Sequence, residues 1–305
     1  MKFSGQILGL ALAGALALSS VPASAQIQTE PYYLGLKLLY SDQKIDVGSS
    51  TYTRSGADHV DADPTATPNP IPEFNAIPSF RGTMPGGSNK KDTMGGAIAV
   101  GYDFYPFYQT PVRLELEFAG RGKNTQQFTT ASRSVTYGGG QNPVGSLIQR
   151  GTNAQRLENT VYTLFINALW DFRNDTAFTP YIGAGVGGAY IKSRLFQSYS
   201  YYEYDTRYDN AGDYTIFNNP GQVISGKSNE WNLAWNLTAG VSYTISDNVL
   251  LDLSYRYADF GDTAVTVDRH FWAHNSGQTR FVDGGTSSID LRANELMLGL
   301  RFTGY

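Results

Sequence analysis

The chain has 305 residues, a formal net charge of −4 at pH 7 and no cysteine. The lack of cysteine excludes disulfides and thiolate chemistry, and the mildly acidic balance gives no support for a nucleic-acid partner. Glycine (33 residues), tyrosine (21) and phenylalanine (16) are abundant, a mixture that suits β-strands with small side chains on one face and aromatic side chains near an interface.

The first 25 residues predict a secretory signal peptide. Lys2 precedes an apolar run at residues 7–18, Pro22 ends that run, and the small residues Ala23, Ser24 and Ala25 follow. This is the order of a basic region, an apolar region and a cleavage site. The run is shorter than the roughly 20 residues that a helix needs to cross a bilayer. We therefore expect residues 1–25 to be removed and the mature chain to begin at residue 26.

A period of two residues recurs eight times along the mature chain. Apolar side chains alternate with small or charged ones, the pattern of a β-strand whose two faces meet different surroundings. The third segment, VRLELEF at residues 112–118, is the clearest example. The eight predicted strands span residues 32–41, 94–104, 112–118, 160–172, 180–191, 231–245, 249–257 and 295–302.

The connections between these strands alternate in length. Short connections fall at residues 105–111, 173–179 and 246–248, and long ones fall at residues 42–93, 122–159, 192–230 and 259–289. Short turns on the periplasmic side and long outer loops are typical of outer-membrane barrels. The pattern predicts an all-β fold over residues 26–305, a membrane-spanning eight-stranded antiparallel up-and-down β-barrel with four long extracellular loops.

The face opposite the apolar one indicates what surrounds this barrel. A soluble barrel fills its interior with large apolar side chains and exposes charged ones. Here the opposing face combines glycine and alanine with a few charges, which suits the narrow lumen of eight strands. On a solvated exterior, so many glycines would weaken the strands without any gain. We therefore predict that the apolar face meets lipid.

Aromatic residues on the strands support the same orientation, because aromatic belts mark both interfaces of a membrane barrel. The belt predicted near the periplasm comprises Tyr32, Tyr102, Phe104, Trp170, Phe172, Tyr181, Tyr243 and Phe302. The belt predicted near the outer interface comprises Tyr40, Phe118, Tyr162, Tyr190, Trp231, Trp235, Tyr255 and Tyr257.

Several strand motifs resemble a known family. PYIGAGVG (residues 180–187), AGVSY (239–243) and LDLSYRY (251–257) are similar to small outer-membrane barrels, which include opacity-type proteins, surface antigens of intracellular bacteria and the OmpA transmembrane domain. The resemblance covers the strands, roughly half of the mature chain, and implies the architecture rather than an activity.

The end of the chain, LMLGLRF at residues 296–302, resembles the C-terminal signal that barrel-assembly machinery reads. Gly299, Leu300 and Phe302 carry this resemblance. Family members usually end on an aromatic residue in register with the outward face. Phe302 keeps that register and the last residue, Tyr305, does not, so both positions stay open as the end of the signal.

Charged residues on the inward face predict a network of ion pairs that fills and rigidifies the lumen. A charge held away from water is costly unless it is paired, so mixed signs are expected. The alternative is a polar path for ions, although side chains usually block so narrow a lumen. The predicted lumen set comprises Lys37, Asp103, Arg113, Glu115, Glu117, Asp171, Asp252, Arg256, Glu295 and Arg301.

The first and third long loops each have a distinctive composition. The first loop is rich in proline and is expected to lack a core of its own. The third loop carries a tyrosine cluster, and tyrosine supplies large amphipathic contact area at low entropic cost. A binding surface and a simple strand hairpin with tyrosines paired across it explain this cluster equally well. The candidate binding surface comprises Tyr199, Tyr201, Tyr202, Tyr204 and Tyr208.

Catalytic and metal chemistry have weak support. His270 and His274 form a pair without a third ligand, and the loop aspartates lack the spacing of a calcium loop. His274 with Ser276 is the one nearby candidate for a nucleophile and base. We expect no catalytic residue, no metal site, no cofactor and no enzymatic activity.

These observations favour a structural and surface-interaction protein of the adhesin or surface-antigen type, displaying long loops outside the cell. The alternative is a narrow, porin-like channel or carrier for ions or small apolar molecules. The expected partners are outer-membrane lipid and lipopolysaccharide, the barrel-assembly machinery, and a host or surface ligand that meets the loops, with no nucleic acid.

Overall fold

A computed structural model describes residues 31–54, 80–137, 146–205, 214–273 and 279–303. Strands make up almost all of these residues, with one four-residue helix, α1 (Tyr105–Tyr108). Within the described ranges, no helix has the length and hydropathy to cross a membrane. The strands are β1 (Tyr32–Val47), β2 (Ser50–Arg54), β3 (Phe80–Met84), β4 (Gly87–Asp103), β5 (Val112–Arg121), β6 (Asn124–Tyr137), β7 (Ser146–Asp171), β8 (Phe178–Asp205), β9 (Tyr214–Ser246), β10 (Val249–Thr266), β11 (His270–Ala273), β12 (Thr279–Asp283) and β13 (Thr286–Thr303).

The main sheet closes on itself. Its order is β5-β4-β1-β13-β10-β9-β8-β7-β6, and β5 also pairs with β7. Every neighbouring pair is antiparallel. Strand β6 continues the wall of β5 along the upper part of β7. The predicted eight-stranded antiparallel barrel is therefore confirmed, and the first and last strands, β1 and β13, lie side by side in it.

The strands are longer than the sequence pattern predicted. Much of each predicted long connection is strand, and β8 and β9 stay paired as far as Asp205 opposite Tyr214. The predicted strands ended where the outward face stopped being apolar. On β1, for example, Asp42 and Lys44 face outward and Ile45 is buried, so the alternation continues with its two faces exchanged.

A second sheet covers part of the outer end. Its order is β11-β12-β2-β3. It therefore joins two strands of the fourth long connection, β11 and β12, to two strands of the first, β2 and β3. Val282 of β12 pairs with Arg54 of β2. The ends of the first predicted loop are therefore strands, and its proline-rich centre at residues 55–79 lies outside the described residues.

The outer surface of the barrel carries a band of exposed apolar side chains. Leu38, Ile166, Leu233 and Leu298 are 66%, 61%, 78% and 49% exposed. An exposed apolar surface that encircles a barrel is stable only against another apolar medium, such as lipid. We call this surface the lipid band.

Candidate functional site

Ion pairs close the lumen at the level of the lipid band, and the lowest lie near the chain termini. Arg113 donates to both carboxylate oxygens of Asp171 at 2.8–3.0 Å. Arg173, from the short connection after β7, pairs with Asp103 and also lies 3.6 Å from Asp171. Forked hydrogen bonds of this kind fix both position and orientation, which makes the lower layer rigid.

Arg301 and Asp252 complete this lower layer, 3.3 Å apart across β13 and β10. Ser242 donates to Asp252 and accepts a hydrogen bond of 2.8 Å from Arg301. The Arg301 guanidinium also lies 5.3 Å from the ring centre of Tyr33. A cation this close to a ring face gains further stabilisation where water is excluded.

Tyr181 belongs to the same layer, and the prediction that it lies in the lipid-facing belt is wrong. Its side chain is 6% exposed inside the barrel, with the Arg113 guanidinium 4.9 Å from its ring centre. The cause is strand parity, because Ile182 is the outward-facing neighbour, at 52% exposure. A tyrosine in the lumen pairs its ring with a cation, an interaction that lipid would not supply.

The middle layer joins two carboxylates to two cations. The Lys37 ammonium lies 2.5 Å from Glu115 Oε1 and 2.6 Å from Glu117 Oε2. Arg256 donates to the two oxygens of Glu117 at 2.6 and 3.0 Å. Asn167 reaches Glu115 at 3.5 Å. Glu117 therefore accepts hydrogen bonds from two cations, which satisfies a carboxylate buried far from bulk water.

The upper layer is built on one fully buried pair. Arg121 Nε and Nη2 donate to the Glu295 carboxylate at 2.6 and 3.0 Å, and both side chains are 0% exposed. Ser41 donates to Glu295 at 2.9 Å and Thr163 accepts from Arg121 at 3.1 Å. The Arg121 guanidinium lies 4.5 Å from the ring centre of Phe260. This contact joins the polar lumen to the apolar interior above it.

All ten predicted lumen residues lie inside the barrel and take part in these ion pairs. Two further cations were missed, Arg121 and Arg173. Arg121 shares the parity of Arg113 but lies beyond the end of the third predicted strand, and Arg173 belongs to a predicted short turn. The paired set comprises six cations, Lys37, Arg113, Arg121, Arg173, Arg256 and Arg301, and six carboxylates, Asp103, Glu115, Glu117, Asp171, Asp252 and Glu295.

Above the ion pairs, the interior becomes apolar. Buried aliphatic and aromatic side chains from β1, β7, β8, β9, β10 and β13, with others from β2 and β3, fill the barrel where it extends past the lipid band. A soluble protein has the same arrangement, with an apolar core inside and a polar surface outside. The largest members include Ile45, Met84, Leu157, Phe165, Ile191, Leu195, Phe260, Ile289 and Leu291.

The predicted tyrosine surface lies on the β8–β9 hairpin. The backbone of Tyr199, Tyr201, Tyr202 and Tyr204 is part of β8 and pairs with β9. This ladder shows that β8 and β9 continue as a paired hairpin, and it leaves both the binding role and the pairing of the tyrosine side chains untested. The side chains of these residues, and Tyr208 as a whole, lie outside the part of the chain that the structure describes.

The candidates for other chemistry lie mostly outside the described ranges. The backbone of His270 is in β11, whereas His274 and Ser276 fall among residues that are not described. Within the described residues, no group of three histidine, aspartate or glutamate side chains is placed to hold a metal ion. The expected lack of catalysis, cofactor and metal stays a prediction.

The C-terminal motif lies on β13 between β1 and β10. Leu300 faces outward at 41% exposure opposite Leu36 and Leu251, and Gly299 faces the lumen. Phe302 pairs with Leu34 on one side. The motif therefore lies on the strand at which the barrel closes.

Outside the lipid band, β1 and β13 carry two aspartates whose pKa values are shifted in opposite directions. A hydrogen bond from the Lys44 ammonium lowers the pKa of Asp46. Burial raises the pKa of Asp290, and the nearby Asp262 carboxylate adds to this effect although Arg292 opposes it. Asp46 and Asp290 are directly paired across the two strands. This outer wall is therefore crowded with negative charge.

Comparison with known proteins agrees with this geometry. A family model described as outer membrane protein beta-barrel domain matches residues 11–302. Outer membrane protein PagN of Salmonella typhimurium is 30% identical over 214 residues, which cover 70% of this chain and 73% of PagN. Putative adhesin RC1281 of Rickettsia conorii is 28% identical, covering 47% of this chain and 48% of its own. Opacity protein opA66 of Neisseria gonorrhoeae is 24% identical, covering 54% and 68%.

The family match extends over almost the whole chain, including every strand of the barrel. The aligned region covers more than two thirds of the length of PagN. The resemblance drawn from the strand motifs is thereby confirmed, and so is placement in the outer membrane. The chain belongs to the outer membrane protein beta-barrel domain family.

Proposed function

We propose that this protein anchors and displays an extracellular binding surface, in the manner of an adhesin or surface antigen. The length of the strands carries the proposal. Strands β8 and β9 have 28 and 33 residues, whereas about 9–11 residues are enough to cross a bilayer. Most of this hairpin therefore extends beyond the membrane, and its apolar interior keeps that extension folded.

The relatives support this role. One is described as a putative adhesin and another as an opacity protein. The tyrosine cluster at the end of the hairpin is the part of this chain that we assign to ligand contact, because tyrosine is the residue type that binding surfaces favour. The ligand belongs to a host or neighbouring surface.

Attachment tests this proposal. The chain is expressed in a Gram-negative strain that does not adhere to cultured host cells, either unchanged or with Tyr199, Tyr201, Tyr202, Tyr204 and Tyr208 replaced by serine. A matched control replaces Tyr52, Tyr105 and Tyr108, which lie outside the hairpin, by phenylalanine. We expect the unchanged chain and the control to confer attachment and the hairpin variant to lose about tenfold or more, the scale of a few interface hot spots. Equal attachment by all three strains would contradict the assignment.

The filled interior argues against the alternative of a channel or carrier. Ion pairs occupy the lumen at the lipid band and apolar side chains occupy it above. We expect purified protein in planar bilayers to show no large, steady conductance. Large and stable single-channel currents would instead support the channel.

We also propose that the protein catalyses no reaction and that barrel-assembly machinery reads the end of β13. The mass of lipid A is expected to be the same in cells with and without the protein, and a mass shift abolished by His274→Ala would contradict this.

Phe302→Ala is expected to reduce the amount of folded protein in the outer membrane, whereas Tyr305→Ala leaves it unchanged. A larger loss of folded protein for Tyr305→Ala than for Phe302→Ala would instead place the signal at residue 305.

A further inference from the structure

One outer wall of the barrel carries cations just above the lipid band. We call it the cationic wall, and it is formed by β7, β8, β9 and the bend before β6. Its charged side chains point outward and are exposed. The members are Lys123, Arg156, Lys192, Arg194 and Lys227.

The strand register brings these cations together. Arg194 of β8 lies directly opposite Lys227 of β9 and Glu158 of β7. Lys192 is two residues lower on the same face of β8. Directly opposed side chains in a sheet have Cβ atoms about 5 Å apart, and like charges in that position repel. A nearby anion would relieve the repulsion between Arg194 and Lys227.

Among the described residues, few carboxylates lie near this wall. Glu158 is shared by Lys123 at 3.2 Å and Arg156 at 2.9 Å. Over the described ranges of the chain, no carboxylate lies within 4 Å of Lys192, Arg194 or Lys227. A phosphate from outside the chain would supply the anion that the described residues lack at this place.

The opposite wall, on β1, β4 and β13, differs in this respect. Lys44 lies 2.9 Å from Asp46, and Arg292 lies 2.6 Å from Asp290. Lys90 is 3.9 Å from Asp42. Each of these three cations has a carboxylate at ion-pair distance, unlike Lys192, Arg194 and Lys227 among the described residues.

Aromatic rings set the height of the cationic wall. The Lys192 ammonium lies 5.3 Å from the ring centre of Tyr162 and 5.5 Å from that of Tyr190. Tyr190 packs in turn on Trp231, with ring centres 5.1 Å apart. Exposed tyrosine and tryptophan rings at the edge of a lipid band lie at the level of the lipid headgroups. Lys192, Arg194 and Lys227 therefore stand at or just above the headgroups of the outer leaflet.

We propose that the cationic wall binds phosphate groups on an outer-leaflet glycolipid, with Arg194 and Lys227 as the main ligands and Lys192 as a lower one. A guanidinium binds phosphate through paired hydrogen bonds, and an ammonium adds a compact point charge. The ring centre of Phe196 lies 5.8 Å from the Arg194 guanidinium, a contact with the face of that group that leaves its donor edge open to a phosphate. This inference rests on placement in the outer membrane and not on what the hairpin tip binds.

Native mass spectrometry of the full mature chain tests this proposal. The probes are lipid A with two phosphates and the same glycolipid after dephosphorylation, each at known concentration in mixed micelles. The test variant carries Lys192→Gln, Arg194→Gln and Lys227→Gln. The matched control carries Lys44→Gln, Lys90→Gln and Arg292→Gln, which changes the net charge equally on the opposite wall. Slower gel migration after heating verifies that each variant is folded.

We expect the unchanged chain to prefer phosphorylated lipid A and the test variant to bind it about 100-fold more weakly, because each basic residue near an anionic surface contributes roughly fivefold. The control should stay within about twofold of the unchanged chain, and neither variant should alter binding of the dephosphorylated lipid. Equal losses in both variants, or no loss in either, would overturn the proposal. Displacement of the lipid by millimolar inorganic phosphate would also overturn it, since the site would then be a general anion site.

Discussion

Each buried charge in the lumen has an oppositely charged partner at hydrogen-bond distance, and this pairing is why the strands tolerate it. Glu295 accepts from Arg121 and Ser41, and Glu117 accepts from Arg256 and Lys37. Removing one member leaves the other charged and buried, which costs far more than the pair itself contributes. The lumen charges therefore behave as pairs, and substitutions must be compared as pairs.

Arg121→Met tests this pairing. It leaves the Glu295 carboxylate buried without its main donor, so we expect the free energy of unfolding to fall by about 3–5 kcal/mol. Adding Glu295→Leu should recover most of the loss, because an apolar pair can pack beside Phe260. Urea unfolding in lipid vesicles measures both variants. Lys123→Met removes the exposed pair with Glu158 and should cost less than about 1 kcal/mol. A cost for Arg121→Met no larger than that of Lys123→Met would contradict a structural role.

Asp290→Asn and Asp46→Asn provide a pH test at the outer wall. The pKa of Asp290 is raised, so the folded state holds its proton more tightly and the ionised form opposes folding at neutral pH. The pKa of Asp46 is lowered, so its ionised form supports folding there. At pH 7 we expect Asp290→Asn to stabilise and Asp46→Asn to destabilise the protein, each by less than about 0.5 kcal/mol at these partly exposed sites.

The effect of Asp290→Asn should disappear near pH 3, and the effect of Asp46→Asn should shrink as the pH falls through the lowered pKa of Asp46 in the folded state. The measurement is the urea midpoint of each variant at the two pH values. Effects of the same sign for the two variants at pH 7 would show that the charges around Asp290 and Asp46 do not act as described.

At the scale of the strands, the inward and outward faces of β4 leave different amounts of room for a side chain. A Cβ atom added to Gly95 would lie 2.1 Å from the carbonyl oxygen of Gly120, whereas one added to Gly96 would come no closer than 3.5 Å, to the Lys37 carbonyl. Strands β4 and β5 approach closely on the lumen side of Gly95. Gly95 therefore marks an inward-facing position where the neighbouring backbone leaves no room for a side chain.

Gly95→Ala and Gly96→Ala form a matched pair of variants on adjacent residues. We expect Gly95→Ala to lower the free energy of unfolding by about 1–3 kcal/mol, since the backbone must shift to admit the methyl group. Gly96→Ala should change it by less than about 0.5 kcal/mol at its outward-facing site. Urea unfolding in lipid vesicles measures the free energy of unfolding of both variants. Equal losses would contradict the close approach of β4 and β5 at Gly95.

The sequence predicted the strands of the lipid band and their neighbours, because alternation there is strong and the turns are short. It failed above that band for a physical reason. Once water replaces lipid outside, the outward residues become polar, as at Asp42 and Lys44, and the inward residues become apolar, as at Ile45. The period of two persists but its faces exchange. Arg121 was missed for the same reason, since it lies past the last lipid-facing residue of its strand.

At the scale of the whole molecule, one closed cylinder has two interiors matched to two surroundings. Where lipid surrounds it, the outside is apolar and ion pairs fill the inside. Where water surrounds it, the outside is polar and an apolar core fills the inside. The cationic wall lies at the boundary between these regions, and the paired hairpin of β8 and β9 extends farthest beyond it. Display outside the cell follows from this division.

Spin labels on single introduced cysteines test the division most directly, since the natural chain has no cysteine of its own. Ile166→Cys and Leu298→Cys place the label on the lipid band, and Asn229→Cys places it on the outward face above that band. In lipid vesicles, we predict that oxygen, which concentrates in lipid, relaxes the first two labels more strongly than a water-soluble nickel chelate does, and that the order reverses at residue 229. Stronger relaxation by the chelate at residues 166 and 298 would contradict the account.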